Sequence, residues 1–278
     1  MKEALHFDRR RHGRLWWHEP HGRMHFWHHH VEVEFNLVVR GTARYLVKDR
    51  SYALSRGDLI FLFPDQEHLL VDLSADFACW IAVARPGPLR RLRPGAGDRD
   101  LHQGDPDLGN CRRIDDERLR RLDALYRESL LATDTPAANV LHGAVMVATW
   151  QAFLVADRRP APILHPAVER SLGLLAADPE AGLETVATKA GLSLSRLSRL
   201  FHAQVGESLV AHRQRQRLER FRRLRQQHPQ RTLLALALDA GFGSYAQFHR
   251  AVRRFTGVSP QDWDDAAGFV PRDPAAAD

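Results

Sequence analysis

The sequence has few cysteines and no pattern that would employ them. Cys79 and Cys111 are the only two in 278 residues, and their setting suggests neither a disulfide framework nor a zinc cluster. The first residues carry charge but lack the apolar core of a signal peptide. We therefore expect a reducing compartment, the cytoplasm.

Long hydrophobic runs are also scarce. The stretch that must be weighed as a membrane span, residues 140–156, is uncharged over 17 residues but slightly short, and it carries His142 and Gln151. We interpret it as a helix that is buried on most sides, packed on its own domain and on a second subunit. No membrane partner is expected.

Positive charge is concentrated towards the C-terminal end. The chain has a net charge of +6 and a pI near 9.9. Residues 166–260 alone hold 15 Lys and Arg against 7 Asp and Glu, a local charge of +8. A run of charge is also typical of a solvated face. An excess confined to one third of the chain nevertheless favours a phosphate-binding surface over general solubility.

The length of 278 residues and the 44% of hydrophobic residues allow two domains. From residue 25 to residue 84, short runs of strand-forming residues alternate with tight turns, which predicts an all-β sandwich or small barrel. Trp16 and Trp17 belong either to a first strand or to an arm that folds over this domain. Residues 85–107 are rich in Pro, Gly and Arg, and we expect a loop there.

Two helices are predicted next, over residues 115–131 and 136–156. Three prolines then mark residues 156–166 as an interdomain linker. The fold class is therefore multi-domain, an all-β barrel with two following helices and then an all-α domain. The expected parts are a β domain over 1–110, a helical pair for dimerisation over 111–156, a linker over 157–166 and a helical domain over 167–270.

The helical domain contains an internal repeat. Ala187 and Gly191 recur as Ala237 and Gly241 at an offset of 50 residues. Beyond the turn the offset becomes 51, in the pairs Leu197 and Phe248, Arg199 and Arg250, Gly206 and Gly257, Ser208 and Ser259. Each unit predicts a short helix, a turn whose glycine adopts the left-handed conformation, and a second helix. Paired short helices also build solenoids, but two copies are too few for one.

The joining segment, residues 209–227, predicts a long helix with arginines around an apolar face. The repeat carries the motifs AxxAGLS, LSRLF and GxS, then AxxxGF, FxR and TGVSPQDW. Residues 168–263 resemble, in these motifs, the DNA-binding domain of the AraC family of bacterial transcription regulators. The resemblance covers about a third of the chain. It implies two helix-turn-helix readers, held by one linker helix, that enter successive major-groove segments of double-stranded DNA.

By position, the resemblance implies that the two recognition helices present eight residues to DNA: Ser195, Arg196, Ser198, Arg199, Tyr245, Ala246, His249 and Arg250. Arg199 and Arg250 are the strongest candidates, because arginine can bind a guanine edge through two hydrogen bonds. The alternative for either is a charge that faces solvent. Ala246 can offer only an apolar contact, such as one to a thymine methyl group. Because the serine side chains are short, the sequence specificity of the first reader is expected to depend on its arginines.

The N-terminal half resembles the cupin sensor domain that often precedes this DNA-binding domain. The spacing Gly22-x5-His28-x-His30-x3-Glu34-x6-Gly41 carries the resemblance, and Gly57-Asp58 and Phe63-Pro64-Asp65 follow before His68. The chain departs from the cupin pattern in two positions. Phe63 replaces a usual proline and Asp65 a usual glycine, so a different turn before His68 is possible.

Four residues are candidate metal ligands: His28, His30, Glu34 and His68. This set suits a divalent ion such as zinc, iron, manganese or nickel. On one continuous strand, His28, His30 and Glu34 would share a face, while His29 would point away and is not counted. A half-exposed strand without metal gives the same pattern, so both interpretations stay open.

The expected function is a sequence-specific DNA-binding transcription regulator and not an enzyme. A small-molecule effector, alone or with a metal, would bind the cupin domain of a homodimer, and RNA polymerase is a further expected partner. Trp17, Trp27 and Trp80 could stack on the effector, although aromatic residues in a small barrel are more typical of its core. The alternative is a cupin metalloenzyme fused to a DNA-binding domain, but we find no separate acid–base pair for it. An architectural DNA protein would instead fill its barrel with apolar side chains.

Overall fold

A computed structural model of the chain describes residues 5, 7–20, 27–92, 101, 109–132 and 134–263. Within them, nine strands belong to the β domain and the segment that follows the helical pair: β1 (Gly13–His18), β2 (Val33–Arg40), β3 (Thr42–Val47), β4 (Arg50–Ser55), β5 (Asp58–Leu62), β6 (His68–Val71), β7 (Ala78–Ala84), β8 (Cys111–Arg113) and β9 (Asp157–Arg158). The described helices are α1 (Pro86–Leu92), α2 (Asp116–Leu130), α3 (Thr135–Val155), α4 (Pro166–Ala177), α5 (Leu183–Ala190), α6 (Leu194–Val205), α7 (Leu209–Gln227), α8 (Leu233–Asp239) and α9 (Tyr245–Thr256).

The strands form two antiparallel sheets that enclose a core. One sheet has the order β1-β7-β2-β5-β8-β9 and the other β4-β3-β6. Side chains from both sheets, such as Val38 and Ile60 from one and Tyr45 and Leu70 from the other, pack together between them. Successive residues of a strand point to opposite faces, so Phe35 faces away from this interior. The prediction of a cupin-like all-β barrel is confirmed.

The helical pair covers the outer face of the larger sheet. Each helix begins at an aspartate cap, where Asp115 accepts a hydrogen bond from the Arg118 amide and Asp134 accepts one from the Ala137 amide. Trp150 of α3 packs with residues of the sheet in one buried cluster. Among the described helices, α3 alone is long and apolar enough to cross a membrane. Its packing on the sheet is that of a core helix.

Two sequence expectations need correction in this domain. The segment expected as a loop over 85–107 begins with α1, whose Leu89 is buried in the core; residues 93–100 and 102–108 lie outside the described part. The strand expected from residue 25 is also interrupted. Residues 31 and 32 form a bend, and β2 begins only at Val33. Trp16 and Trp17 lie in β1, the first of their two expected places.

The helical domain consists of two compact units joined by α7, whose bounds are those predicted. The first unit packs α4, α5, α6 and the start of α7 around Leu197 and Phe201, and the second packs α7, α8 and α9 around Phe221 and Phe248. This double helix-turn-helix confirms the predicted class. The two units repeat one design because the sequence repeats one pattern of apolar residues.

The predicted linker is extended but hydrogen-bonded to the β domain. We call residues 157–165 the strap. Its first residues pair with β8, the Ser51 amide donates to the Pro162 carbonyl at 3.2 Å, and the Leu164 amide donates to the Asp49 carbonyl at 2.7 Å. Beyond the strap, Leu69 of β6 shares a buried cluster with α4. The two domains are therefore packed against each other and not merely tethered.

Candidate functional site

Glycines end the first helix of each reader, as the repeat predicted, and serine caps, which were not predicted, begin the second helix. In the first reader (α5 and α6), Gly191 ends α5 with φ = +83°, and the Ser193 side chain accepts a hydrogen bond from the Arg196 amide to cap α6. In the second reader (α8 and α9), Gly241 has φ = +93° and Ser244 caps α9 by accepting from the Gln247 amide. Both recognition helices are thereby started by the same local chemistry.

The predicted DNA-facing residues lie on the open faces of α6 and α9. Five of them are exposed: Ser195, Arg196, Arg199, Ala246 and Arg250. Three are half-buried: Ser198, Tyr245 and His249. The Tyr245 hydroxyl accepts a hydrogen bond from Gln261 at 3.0 Å, so this residue is partly committed to the fold. Gln247 is exposed and was missed, although the offset of 51 residues pairs it with Arg196.

A groove rich in arginine separates α7 from α9. It encloses about 460 Å³ and is lined by Arg213 and Arg217 of α7 and by Arg250 and Arg254 of α9. Only Arg250 was singled out from the sequence. Arg213, Arg217 and Arg254 lie on two different helices, and the periodicity of each helix could not show that they line one groove. Four guanidinium groups around one groove create a strong site for anions such as the phosphates of a nucleic acid backbone.

Side chains of α7 fix the two readers relative to each other. Arg215 pairs with Glu207, which follows the first recognition helix, at 2.9 Å, and stacks 5.1 Å from the ring centroid of Phe255 in the second. Arg217 donates to the Pro179 carbonyl in the turn that precedes α5, at 2.9 Å. A pair of readers held this way has a defined spacing.

Three histidines of the barrel come together at one end of its interior. One nitrogen from each of His28, His30 and His68 lies within 4.8 Å of the others. His28 is placed by a backbone bridge, in which the His68 amide donates to the His28 carbonyl at 2.9 Å. The expectation of one continuous strand was therefore wrong, since His28 lies before the bend and pairs with β6. The residues meet all the same. Gly22 of the proposed motif lies outside the described residues.

Glu34 and His30 form a buried ion pair beside this cluster. His30 Nε2 lies 3.1 Å from Glu34 Oε2, and Asn36 donates to the other carboxylate oxygen at 2.9 Å. Burial alone raises the pKa of Glu34, but the hydrogen bond from His30 and the nearby histidines hold it well below its ordinary value. Burial alone lowers the pKa of His30, and the Glu34 charge more than reverses this. The hydrogen bond therefore favours a protonated His30 beside an ionised Glu34.

His68 is prepared as a ligand for a metal ion. Its Nδ1 donates to the Gln66 carbonyl at 2.9 Å, which leaves the lone pair on Nε2, and that buried atom has no hydrogen-bond partner among the described residues. Burial lowers the pKa of His68 to about 3, so the ring is neutral. Such orientation of one nitrogen by a carbonyl is typical of metal-binding histidines.

The residues present fit a divalent ion. Two nitrogens bound at about 2.1 Å can lie at most about 4.2 Å apart, so the three rings need to approach only slightly from their 4.8 Å limit. A metal would replace the proton that His30 shares with Glu34. Glu34, whose oxygen lies 3.1 Å from that nitrogen, would then be available as a fourth ligand. The turn before His68 is retained, because Asp65 adopts φ = +60°, the conformation a glycine would take there.

Two of the three candidate effector tryptophans are placed elsewhere than expected. Trp80 is fully buried on the outer face of the larger sheet, where its indole donates to Asp123 of α2 at 2.6 Å. Trp17 packs edge-on against it at 4.9 Å. These rings hold the helical pair to the sheet and do not line the barrel, because their strand positions point outward. Trp27 lies between the two domains.

A polar cavity opens at the mouth of the barrel, between β4 and the strap. It encloses about 670 Å³, and its rim carries four cationic residues: Lys48, Arg50, Arg158 and Arg159. Its floor is the hydrogen-bonded set Tyr52, Asn110 and Gln66, in which Asn110 donates to Gln66 at 2.7 Å. The Gln66 carbonyl binds His68, so the cavity floor and the histidine cluster are directly joined. No sequence motif indicated these residues, which come from four separate segments.

Two family models match the chain in separate regions. One, described as an AraC-like ligand binding domain, matches residues 15–80, and the other, described as a helix-turn-helix domain, matches residues 186–266. Curated proteins give no match. The matched regions contain the histidine cluster and the two readers, respectively.

Several solved structures are similar to the chain. ToxT from Vibrio cholerae is 12% identical over 90% of this chain and 96% of that chain, with a TM-score of 0.33. An AraC-type transcriptional regulator from Chromobacterium violaceum is 26% identical over 34% of this chain and 87% of that one, with a TM-score of 0.32. The AraC-like transcriptional activator CuxR is 16% identical over 68% of this chain and 66% of that one, with a TM-score of 0.32.

Proposed function

Since the chain belongs to the AraC family of DNA-binding transcription regulators, with an N-terminal ligand-binding domain, we propose that a metal and a small effector in that domain control how two readers bind promoter DNA. The observation that carries this proposal is the matched pair of open recognition helices, the second of which borders an arginine groove. The protein acts in the cytoplasm, where it has access to DNA.

Each reader contributes base contacts from its recognition helix. Arg199 and Arg250 bind guanine edges, each discriminating by about 1–3 kcal/mol. Arg196 extends the DNA-contacting surface of the first recognition helix, and the paired Gln247 extends that of the second. The arginine groove follows the phosphate backbone that passes between the two major-groove segments, which supplies affinity without sequence preference.

The histidine cluster holds a divalent metal ion with a structural or effector-orienting role. His28, His30 and His68 would supply three ligands and Glu34 a fourth. The bound ion supplies a fixed positive charge at the inner end of the barrel. Its support is the unpartnered Nε2 of His68, in a ring that is neutral and held in position by the Gln66 carbonyl. Zinc, iron, manganese and nickel all suit this ligand set.

The effector occupies the barrel-mouth cavity. Its cationic rim suits a molecule that carries a carboxylate or phosphate group, which arginine binds through paired hydrogen bonds. An effector there contacts Arg158 and Arg159 of the strap, and so acts on the segment that leads directly to α4. The strap thus provides the physical route from effector to reader.

A homodimer forms through the exposed side of α3. Val140 and Val155 are 72% and 65% exposed, and Ala144 lies between them on the same side of the helix. Exposed apolar side chains on a helix whose other side is buried against the sheet are typical of a subunit interface. Two copies place paired readers on two DNA half-sites, beside which RNA polymerase binds.

A protection footprint on the DNA upstream of the protein's own gene tests the proposal. We expect two protected major-groove segments about one helical turn apart for each half-site. Arg199→Ala should weaken protection of one segment and Arg250→Ala that of the other. Protection that both variants leave unchanged would contradict the assignment of the readers.

Elemental analysis of protein purified without chelator tests the metal. We expect one equivalent of metal per chain in the native protein and none in a His30→Ala, His68→Ala double variant. Native protein without metal would refute this part of the proposal. Turnover of a substrate by metal-loaded protein would favour a cupin metalloenzyme instead.

A further inference from the structure

A second cavity lies between the sensor domain and the DNA-binding domain. It encloses about 650 Å³. The sensor side contributes Trp27, Asp65 and Glu67, and the DNA-binding side contributes Glu169 of α4 and Glu219 of α7. It is a different space from the barrel-mouth cavity, although Lys48 and Asp49 border both. Neither domain alone forms it.

The lining is acidic in a chain that is basic overall. Five carboxylates line the cavity, Asp49, Asp65, Glu67, Glu169 and Glu219, against two cationic residues, Lys48 and Arg223. The whole chain carries +6. Asp65, Glu169 and Glu219 form no ion pair with any residue that the structure describes. The local charge therefore attracts cations to a protein whose other grooves attract anions.

Glu219 places a carboxyl group without an ion-pair partner among the described residues at the wall of the cavity. The residue is only 4% exposed, lines the cavity, and accepts no hydrogen bond from any residue in the described part of the chain. Burial raises the pKa of its carboxyl group, and the nearby Arg223 opposes this only partly. A buried carboxylate without a partner is costly. A ligand with a positively charged hydrogen-bond donor would remove that cost.

We propose that this interdomain cavity binds a small organic cation that carries an ammonium or guanidinium group. Glu219 binds the charged group, Glu169 and Glu67 surround it, and Trp27 offers the aromatic surface on which such cations bind. An organic cation fits better than a hydrated metal ion, because Trp27, Leu172 and other apolar groups form part of the wall, whereas Mg²⁺ prefers oxygen ligands and water.

Such a ligand stabilises the packed arrangement of the two domains. It contacts both sides of the cavity, so it binds this arrangement more tightly than one in which the domains separate. The consequence for transcription rests on the proposed regulatory function. Binding of the cation itself does not, and it can be measured without DNA.

Isothermal titration of agmatine into the full-length protein tests the inference. We expect saturable binding at one site per chain, weakened by salt, and a loss of affinity of about tenfold or more in Glu219→Gln. Glu169→Gln, at an exposed position, should weaken binding less. Glu128→Gln on α2 removes the same charge far from the cavity and serves as the matched control, with unchanged affinity expected.

Three results would overturn the inference: no heat from agmatine or spermidine, equal affinity in native protein and both cavity variants, or displacement of agmatine by millimolar Mg²⁺ at constant ionic strength. Circular dichroism checks that Glu219→Gln is folded, and Glu169→Gln decides the matter if it is not. Loss of agmatine binding with intact DNA binding refutes this site alone. Loss of DNA binding with intact agmatine binding refutes only the regulatory function.

Discussion

Gly206 lies against Asp72 of the sensor domain, and replacing it with alanine should loosen the contact between the two domains. Gly206 ends α6 with φ = +86°. A Cβ atom added there would lie 2.7 Å from both Cβ and Oδ2 of Asp72 in the sensor domain. Gly191 is a matched control, because it ends α5 with φ = +83° but its added Cβ would meet nothing nearer than a guanidinium nitrogen of Arg170 at 3.8 Å.

The two variants differ in their expected cost. Each variant is destabilised by about 1–2 kcal/mol because alanine must adopt the left-handed conformation. Gly206→Ala is destabilised by about 1–3 kcal/mol more, because its Cβ overlaps Asp72 as in other overpacked sites. The free energy of unfolding in urea should therefore fall more in Gly206→Ala than in Gly191→Ala, and proteolysis of the strap should be faster only in Gly206→Ala.

A second substitution isolates the contact. Asp72 itself has φ = +53°, so Asp72→Gly suits the backbone and removes the Cβ that collides. The double variant Gly206→Ala, Asp72→Gly should recover most of the extra loss and leave only the backbone cost. Equal destabilisation of the two glycine variants, or no recovery in the double variant, would refute the reasoning that the domains pack as described.

Three further outcomes are expected. Arg250→Ala should relax discrimination at one base position by about 1–3 kcal/mol, as measured by anisotropy on single-base variants of the bound site. If Arg250→Ala keeps this discrimination and Arg199→Ala loses it, our ranking of the two readers would be reversed. Burial alone raises the pKa of Glu207, but His212 and Arg215 lower it from 4.5 to about 2. The ionised Glu207 should therefore stabilise the fold fully above pH 4.5, and this stabilisation should be lost as the pH falls towards 2. Glu207→Gln should flatten the pH dependence of acid unfolding, and an unchanged profile would argue against this role of Glu207. Val140→Glu should convert the dimer to monomers in light scattering, whereas a dimer that persists would place the interface elsewhere.

The repeat explains why the helical domain could be predicted so fully. Equivalent residues such as Gly191 and Gly241 mark the same turn twice, and each copy supports the other. The bounds of α7 followed from the arginine-rich run with one apolar face over residues 209–227. Local chemistry decides all of these features, so the sequence contains them directly.

The β domain was harder because its contacts are distant in sequence. The alternation of side chains along β7 assigns Trp80 to one face of the sheet. Only the packing of α2 shows that this face lies outside the barrel. His28 reaches the cluster through a bridge to His68, 40 residues away, and not through strand parity. Both cavities combine residues from several segments, and no periodicity along one segment could indicate them.

The most direct test of the central claim is the equilibrium binding of the full-length, metal-loaded protein to its own upstream DNA and to a scrambled duplex, measured between 50 and 200 mM salt. We predict a preference for the upstream sequence of about 10³-fold or more, with affinity for both duplexes falling steeply as salt rises. Equal affinity for the two sequences at every salt concentration would contradict the account.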